Sequence, residues 1–135
     1  MISCQLQGGL GNQLFQLATT IAYAMRHHRP FGFSSVKRLC RKRSTYWDSF
    51  LSGLSPYLQA SSMSSSSMII REQGFRYAPL PLLPSVSPDC HCPCPSVLLS
   101  GYFQSPLYFE DYRQPIMDLF GIERQQHELS EWIKE

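Results

Sequence analysis

Gly8-Gly9-Leu10-Gly11-Asn12-Gln13 is the stretch whose residue types and spacing are best suited to chemistry. Glycines at a turn let backbone N–H groups approach an anionic ligand with no Cβ in the way. A helix opening directly after such a turn adds its unpaired N–H groups and the positive end of its dipole. The chemistry implied is recognition of a phosphorylated ligand by an α/β protein. Two common versions of such a turn do not fit. The dinucleotide fingerprint has a further glycine for close helix–strand packing where this chain has Leu14, and Phe31-Gly32-Phe33-Ser34-Ser35 offers no acidic residue for a ribose hydroxyl. The P-loop closes on Gly-Lys-Ser/Thr, which this turn lacks.

Other reactive residue types occur along the chain. Three of the five cysteines crowd into Cys90-His91-Cys92-Pro93-Cys94. Zinc sites of this kind need a second half elsewhere; Cys4 and Cys40 are isolated, so the cluster reads as free thiols on a Pro-rich loop and no metal is expected. An odd cysteine count also argues against a disulfide framework. The basic run Lys37, Arg38, Arg41, Lys42 and Arg43 could bind an anion but reads as a solvated face. His27 and His28 read as capping residues at a helix end rather than as catalysts. Asp48, Glu110 and Asp111 are carboxylates available as a general base, and nothing in the sequence selects among them.

The elements that must position these groups follow from periodicity. Ile2, Cys4 and Leu6 alternate with Ser3, Gln5 and Gln7, which predicts a strand with one apolar face. From Asn12, a suitable N-cap, the pattern turns helical: Leu14, Ala18, Ile21 and Met25 form an apolar stripe, and Gln16, Thr19, Thr20 and Tyr23 lie opposite it. Arg26 to Arg29 suit the negative end of that helix, Pro30 stops it, and Phe31-Gly32-Phe33 reads as a second strand. Strand, glycine turn, helix and strand together are the opening of a parallel sheet. Further on, Trp47, Phe50, Leu51 and Leu54 make a short amphipathic stretch, and Ser61 to Ser67 reads as a flexible loop. Met68-Ile69-Ile70 is a candidate strand, with Phe75, Tyr77 and Leu80 in another extended piece. Six prolines from Pro79 to Pro95 oppose regular structure, whereas Val97-Leu98-Leu99 suits a buried strand. Leu107 to Phe120 reads as a helix interrupted at Pro115, and Glu128 to Glu135 as a charged helical tail.

The 135 residues, 43% hydrophobic and 16% charged, carry a net charge of only +2, which makes no electrostatic case for nucleic acid as a partner. No basic and apolar leader opens the chain, and no run approaches the roughly 18 apolar residues of a membrane span, so a cytoplasmic protein is expected.

Two blocks are more specific together than apart: Gly8-Gly9-Leu10-Gly11-Asn12-Gln13-Leu14-Phe15-Gln16, and Gly101-Tyr102-Phe103-Gln104-Ser105-Pro106-Leu107-Tyr108-Phe109. They resemble the N-terminal half of the α-1,2-fucosyltransferases, glycosyltransferase family 11, and the segment Phe75 to Pro81 resembles that family's aromatic–proline segment. The resemblance covers most of residues 1–122, leaving 123–135 as the charged helical tail. It implies an α/β fold, the Rossmann-like N-terminal lobe of a GT-B-type enzyme, incomplete here. The implied reaction moves fucose from GDP-fucose to the 2-hydroxyl of a galactose in a glycan, with inversion and without an essential metal. By the same resemblance Gly8, Gly9, Gly11, Asn12 and Gln13 line the donor site, Asn12 touching the donor directly, and Tyr102 and Gln104 lie on the acceptor side. Animal members of the family are Golgi membrane proteins, whereas bacterial members begin at the first strand as this chain does.

The family's downstream His-x-Arg-Arg-Gly-Asp block, whose arginine holds the donor phosphates, is missing. Arg26-His27-His28-Arg29 lies in the first helix and is not its equivalent. The expectation is therefore a truncated transferase, inactive alone. The alternatives are a carbohydrate- or nucleotide-binding lobe without catalysis, or an unstable fragment.

Overall fold

Ile2, Ser3 and Cys4 form β1 (Ile2–Cys4), and all three are buried. In the computed structural model, which describes residues 1–60, 68–84 and 96–134, β1 pairs in parallel with β5 (Val97–Ser100), Ile2 opposite Val97 and Cys4 opposite Leu99. β5 in turn pairs in parallel with β4 (Met68–Arg71), giving the order β1-β5-β4. On the other flank of β1, the Ile2 N–H donates to Pro30 O at 2.9 Å and the Gly32 N–H to Ile2 O at 3.1 Å, a parallel bridge to Phe31. The chain then runs into β2 (Phe33–Ser34), which pairs in parallel with β3 (Leu58–Gln59). The fold is therefore mixed α/β with a small parallel sheet. The expectation of one apolar face on β1 is corrected: parallel sheets are packed over on both faces, and Ser3, 4% exposed, is enclosed with Ile2 and Cys4.

The first helix, α1 (Leu10–Arg26), begins two residues before Asn12, with Gly9 as N-cap. Asn12 thus lies inside the first turn rather than capping it, because the glycine turn already supplies the extended backbone a cap needs. The exposed polar face expected of this helix is also corrected. Gln16, Thr19 and Thr20 are completely buried, and Tyr23 is nearly so. α1 packs on β1 on one side and on the segment from Pro106 to Phe120 on another, so it lies inside the molecule instead of on its surface. Its polar side chains are tolerated there because most find partners. The Thr20 hydroxyl donates to Gln16 O at 2.7 Å, and the Tyr23 hydroxyl donates to Pro81 O.

Leu17, Ile21 and Ala22 of α1 meet Ile2, Val97 and Leu99 of the sheet in the core, each at most marginally exposed. Burying a side chain of the Leu or Ile type contributes roughly 1.5–3 kcal/mol. Trp47, Leu51 and Leu54 join the same core, through a turn and a 3₁₀ helix (Ser52–Tyr57) rather than an α-helix.

Residues 73–84 form no strand, correcting the extended piece expected there to an irregular strap. It is tied down at several points, with Ala78 N–H donating to Tyr108 Oη at 3.1 Å and Arg29 Nη2 to Pro84 O at 2.9 Å. His27 caps the end of α1 and also holds the strap: its Nε2 accepts from Leu83 N–H at 3.1 Å, which leaves Nδ1 to donate to Tyr23 O at 3.0 Å. The imidazole is thereby fixed as the neutral Nδ1–H tautomer.

Beyond β5, short 3₁₀ helices over Pro106–Tyr108 and Glu110–Tyr112 lead into α2 (Arg113–Phe120). Pro115 does not interrupt this helix. It occupies the first turn, where a backbone N–H has no intrahelical partner to lose. Gly121 in the left-handed conformation ends α2, and α3 (Ile122–Lys134) follows, starting well ahead of Glu128. Gln125 anchors α3 by donating from Nε2 to Phe50 O and Phe120 O. The Ser61–Ser67 stretch and the Cys90–Cys94 cluster lie outside the described residues.

Candidate functional site

In a parallel sheet all strands deliver their following loops to one edge, and in open α/β sheets ligands bind at that carboxyl edge. Here β1 delivers the turn Gln5–Gly9 and β5 delivers Gly101–Ser105 to the same edge, where Gln5 N–H donates to Leu99 O at 2.9 Å. The chain departs from regular geometry at both turns, with φ of +80° at Gly8 and +51° at Phe103.

Three side chains hold these turns in place. Gln16, fully buried, grips the backbone of Gln7 at both ends of its amide: Oε1 accepts from Gln7 N–H at 3.0 Å and Nε2 donates to Gln7 O at 3.2 Å. Gln13, also fully buried, donates from Nε2 to Gly8 O at 3.0 Å and to Ser44 O at 2.8 Å. Across the edge, Glu72 accepts from Tyr102 N–H at Oε1 (3.1 Å) and from Phe103 N–H at Oε2 (3.0 Å). A carboxylate receiving two backbone donors is a strong, directional anchor.

The two glycine-containing blocks meet directly. Gln104 Nε2 donates to Asn12 Oδ1 at 2.5 Å, joining side chains 92 positions apart. That bond leaves Asn12 Nδ2 turned toward Gly8, so close that a Cβ at position 8 would sit 2.5 Å from it. Glycine at position 8 is thus required by close approach as well as by its φ.

Beside this contact lies a largely polar pocket of about 420 Å³. It is lined by Gln7, Gly8 and Asn12 from the glycine turn and α1, by Tyr102 after β5, and by Cys40, Arg41 and Arg43 from the basic loop. A smaller recess of about 260 Å³, shared at Cys40, continues toward Cys4 and Ser34 at the ends of β1 and β2. Cys4 is no nucleophile at neutral pH: burial pushes its thiol up to about 12, only partly opposed by a hydrogen bond with Thr20.

Of the residues nominated from sequence, Gly8, Asn12 and Tyr102 line the pocket, and Gln104 reaches it through Asn12. Gly9 faces Arg43, whose Nη1 would lie 3.7 Å from a Cβ at position 9. Gln13 is enclosed behind the turn and acts as a structural tie. Gly11 points away, into a separate apolar groove of about 370 Å³ with Leu14, Phe15, Phe109 and Ile116. Substituting Gly11 by Ala should therefore raise stability by about 0.5–1 kcal/mol, since the site is helical and a Cβ there meets nothing within 4 Å. Chemical denaturation is the check, and ligand affinity at the polar pocket should be unaltered.

None of the three candidate bases lines the polar pocket. Asp48 pairs with Lys37 at 3.3 Å, Asp111 lies 3.8 Å from Arg26, and Glu110 is an exposed residue of a 3₁₀ turn. The residues that sequence reading missed are Arg41, Arg43 and Glu72. The arginines belong to a run read as solvated, and what brings them to the pocket is a tertiary hydrogen bond from Gln13 that no local pattern announces. Among the described residues no group of three or more His, Cys, Asp or Glu is placed to hold a metal, and no helix is long and apolar enough to cross a membrane. Comparison of the chain with protein-family models, with curated proteins and with solved structures finds no match.

Proposed function

We propose that this chain binds GDP-fucose at the carboxyl edge of its sheet, as the incomplete Rossmann-like N-terminal lobe of an α-1,2-fucosyltransferase. The observation that supports this reading is the hydrogen bond between Asn12 and Gln104, which unites at one polar pocket the two sequence blocks that carry the resemblance. Asn12 Nδ2 is the donor offered to the ligand, and Gln104 fixes its direction. An amide donor held in advance toward a leaving diphosphate stabilises the charge that grows on it during transfer. Tyr102, which also lines the pocket, is on the acceptor side in this reading, which involves no metal and no cofactor beyond the sugar nucleotide.

A second reading, donor binding without transfer, is favoured by one feature. Fucosyl transfer to a hydroxyl needs a general base, and among the described residues the pocket lining contains no carboxylate or histidine.

Calorimetric titration with GDP-fucose, run beside an assay of GDP release with a β-galactoside acceptor, tests both. GDP-fucose should bind, and GDP release by this chain alone should be undetectable; turnover would sink the second reading. Asn12→Ala should weaken GDP-fucose by about tenfold, the value of one hydrogen bond to a charged group. Gln104→Leu should weaken it comparably, and the double variant should lose no more than either single one, because the two side chains act as a unit. Failure of GDP-fucose to bind, or independent effects at positions 12 and 104, would overturn the proposal.

A further inference from the structure

We infer that Arg41 and Arg43 form a two-pronged clamp for a diphosphate, held over the glycine turn by the buried amide of Gln13. The inference rests on reading this edge as a sugar-nucleotide site and goes further, by naming the cationic groups that receive the phosphates.

Of the five basic residues between positions 37 and 43, Arg41 and Arg43 line the polar pocket. The backbone between them is unusual: Arg41 and Lys42 both have φ of +60°. Left-handed geometry is disfavoured for residues with a Cβ, and two in succession persist only where the surroundings impose them. Those surroundings are visible. Leu39 N–H donates to Arg43 O at 2.7 Å, Arg38 bridges Ser44 in antiparallel fashion, and Thr45 N–H donates to Lys37 O at 3.0 Å, so the loop is closed at its base. Gln13 then ties that base to the turn, one Nε2 donating to both Ser44 O and Gly8 O. The base of the arginine loop is thereby joined to the glycine turn through one buried side chain.

Among the described residues the ion pairs involve Arg26, Lys37 and Arg124, and neither Arg41 nor Arg43 has a carboxylate partner. The facing first turn of α1 contains no acidic residue, and no side chain caps it. Two guanidinium groups lining one pocket with the Asn12 amide suit two linked phosphates, because a guanidinium fork can engage phosphate oxygens in parallel. A single carboxylate would leave one fork unmatched. Free pyrophosphate and a nucleoside diphosphate share this chemistry, and titration separates them.

The test is calorimetry of the full chain with inorganic pyrophosphate, GDP and GDP-fucose. Pyrophosphate should bind the wild type, and Arg41→Gln and Arg43→Gln should each weaken it by about tenfold, the double variant by about a hundredfold. Both side chains are exposed, so melting temperatures should barely move. Arg76→Gln/Arg124→Gln, which removes the same charge from residues outside the pocket, should leave pyrophosphate binding almost unchanged. The clamp is overturned if wild type fails to bind pyrophosphate, if the Arg41/Arg43 double variant binds it as tightly as wild type, or if the control variant weakens it equally. Arginine-dependent pyrophosphate binding with no tighter binding of GDP or GDP-fucose would support the clamp while removing the sugar-nucleotide reading. Tighter GDP-fucose binding that ignores both arginines would do the reverse.

Discussion

Substituting Gly101 by alanine is expected to lower the unfolding free energy by about 3 kcal/mol or more and to disorganise the Tyr102–Gln104 side of the pocket. A Cβ at position 101 would lie 2.4 Å from Glu72 Cβ, an atom fixed to its own backbone that no rotamer change can move aside. The φ of +152° adds strain of its own, being a conformation open in practice only to glycine. Relief requires strand ends to separate, and that breaks the bonds from Tyr102 and Phe103 N–H to the Glu72 carboxylate. Gly74 supplies the comparison. Its φ is +79°, but nothing lies within 4 Å of the added Cβ, so Gly74→Ala should cost only about 1 kcal/mol of backbone strain. Urea denaturation of the two variants decides the matter. Equal losses would mean that the Glu72 contact does not hold the turn.

The second large effect is a loss of stability in alkali. Cys4 is pushed up from 9.0 to about 12 by burial, and burial likewise raises Tyr23 above 10.0, opposed by the Arg29 and Arg26 charges. Both groups fold in their neutral, protonated forms. Their contribution is fully present below the unfolded pKa and is lost as pH rises toward the folded one, because the unfolded chain releases the proton first. For Cys4 the window runs from 9.0 to about 12. It amounts to about 2 kcal/mol by pH 10.5 and about 4 kcal/mol at the top of the window. Tyr23 adds to the loss, since an ionised phenol can no longer donate to Pro81 O and release of that bond frees the strap. Urea denaturation at pH 8 and pH 10.5 should show a smaller drop for Cys4→Ala than for wild type, by about 2 kcal/mol. Parallel losses in the two proteins would rule out the buried thiol as the cause. Alkylation at pH 8.5 offers a second view: exposed Cys40 should react in the native protein and Cys4 only after unfolding.

Local patterns were sufficient where one residue's preference answers to its near neighbours. The apolar alternation at Ile2, the glycine turn, the periodic stripe from Leu14 to Met25 and the stop at Pro30 all appear as strand, turn, helix and return to the sheet. Met68–Arg71 and Val97–Ser100 are strands where compact apolar runs predict them, and His27 caps α1 as its position suggests. Periodicity also placed Gln16, Thr19 and Thr20 on an outer face, and there it misled. Whether a polar stripe meets water depends on what packs over it, and here Gln16 lies against Gln7 and Thr20 against Cys4, so these side chains face the first strand and its turn.

The candidate site divides in the same manner. Gly8 could be named from sequence because close backbone approach requires glycine, whereas Asn12, Tyr102 and Gln104 were named through the resemblance of their two blocks. Glutamine at position 13 looks equally suited to ligand contact, yet buries its amide behind the turn. The basic run between Lys37 and Arg43 is ordinary surface by composition, until that same amide draws Ser44 in and sets two arginines over the pocket. Sequence by itself determined the strand–turn–helix unit and the residues at its tip, since these follow from local sterics and hydrophobic period. Only the tertiary structure decided which polar side chains line the pocket and which hold the scaffold, because a hydrogen bond between distant residues is specified by where two chain segments meet and not by either segment alone.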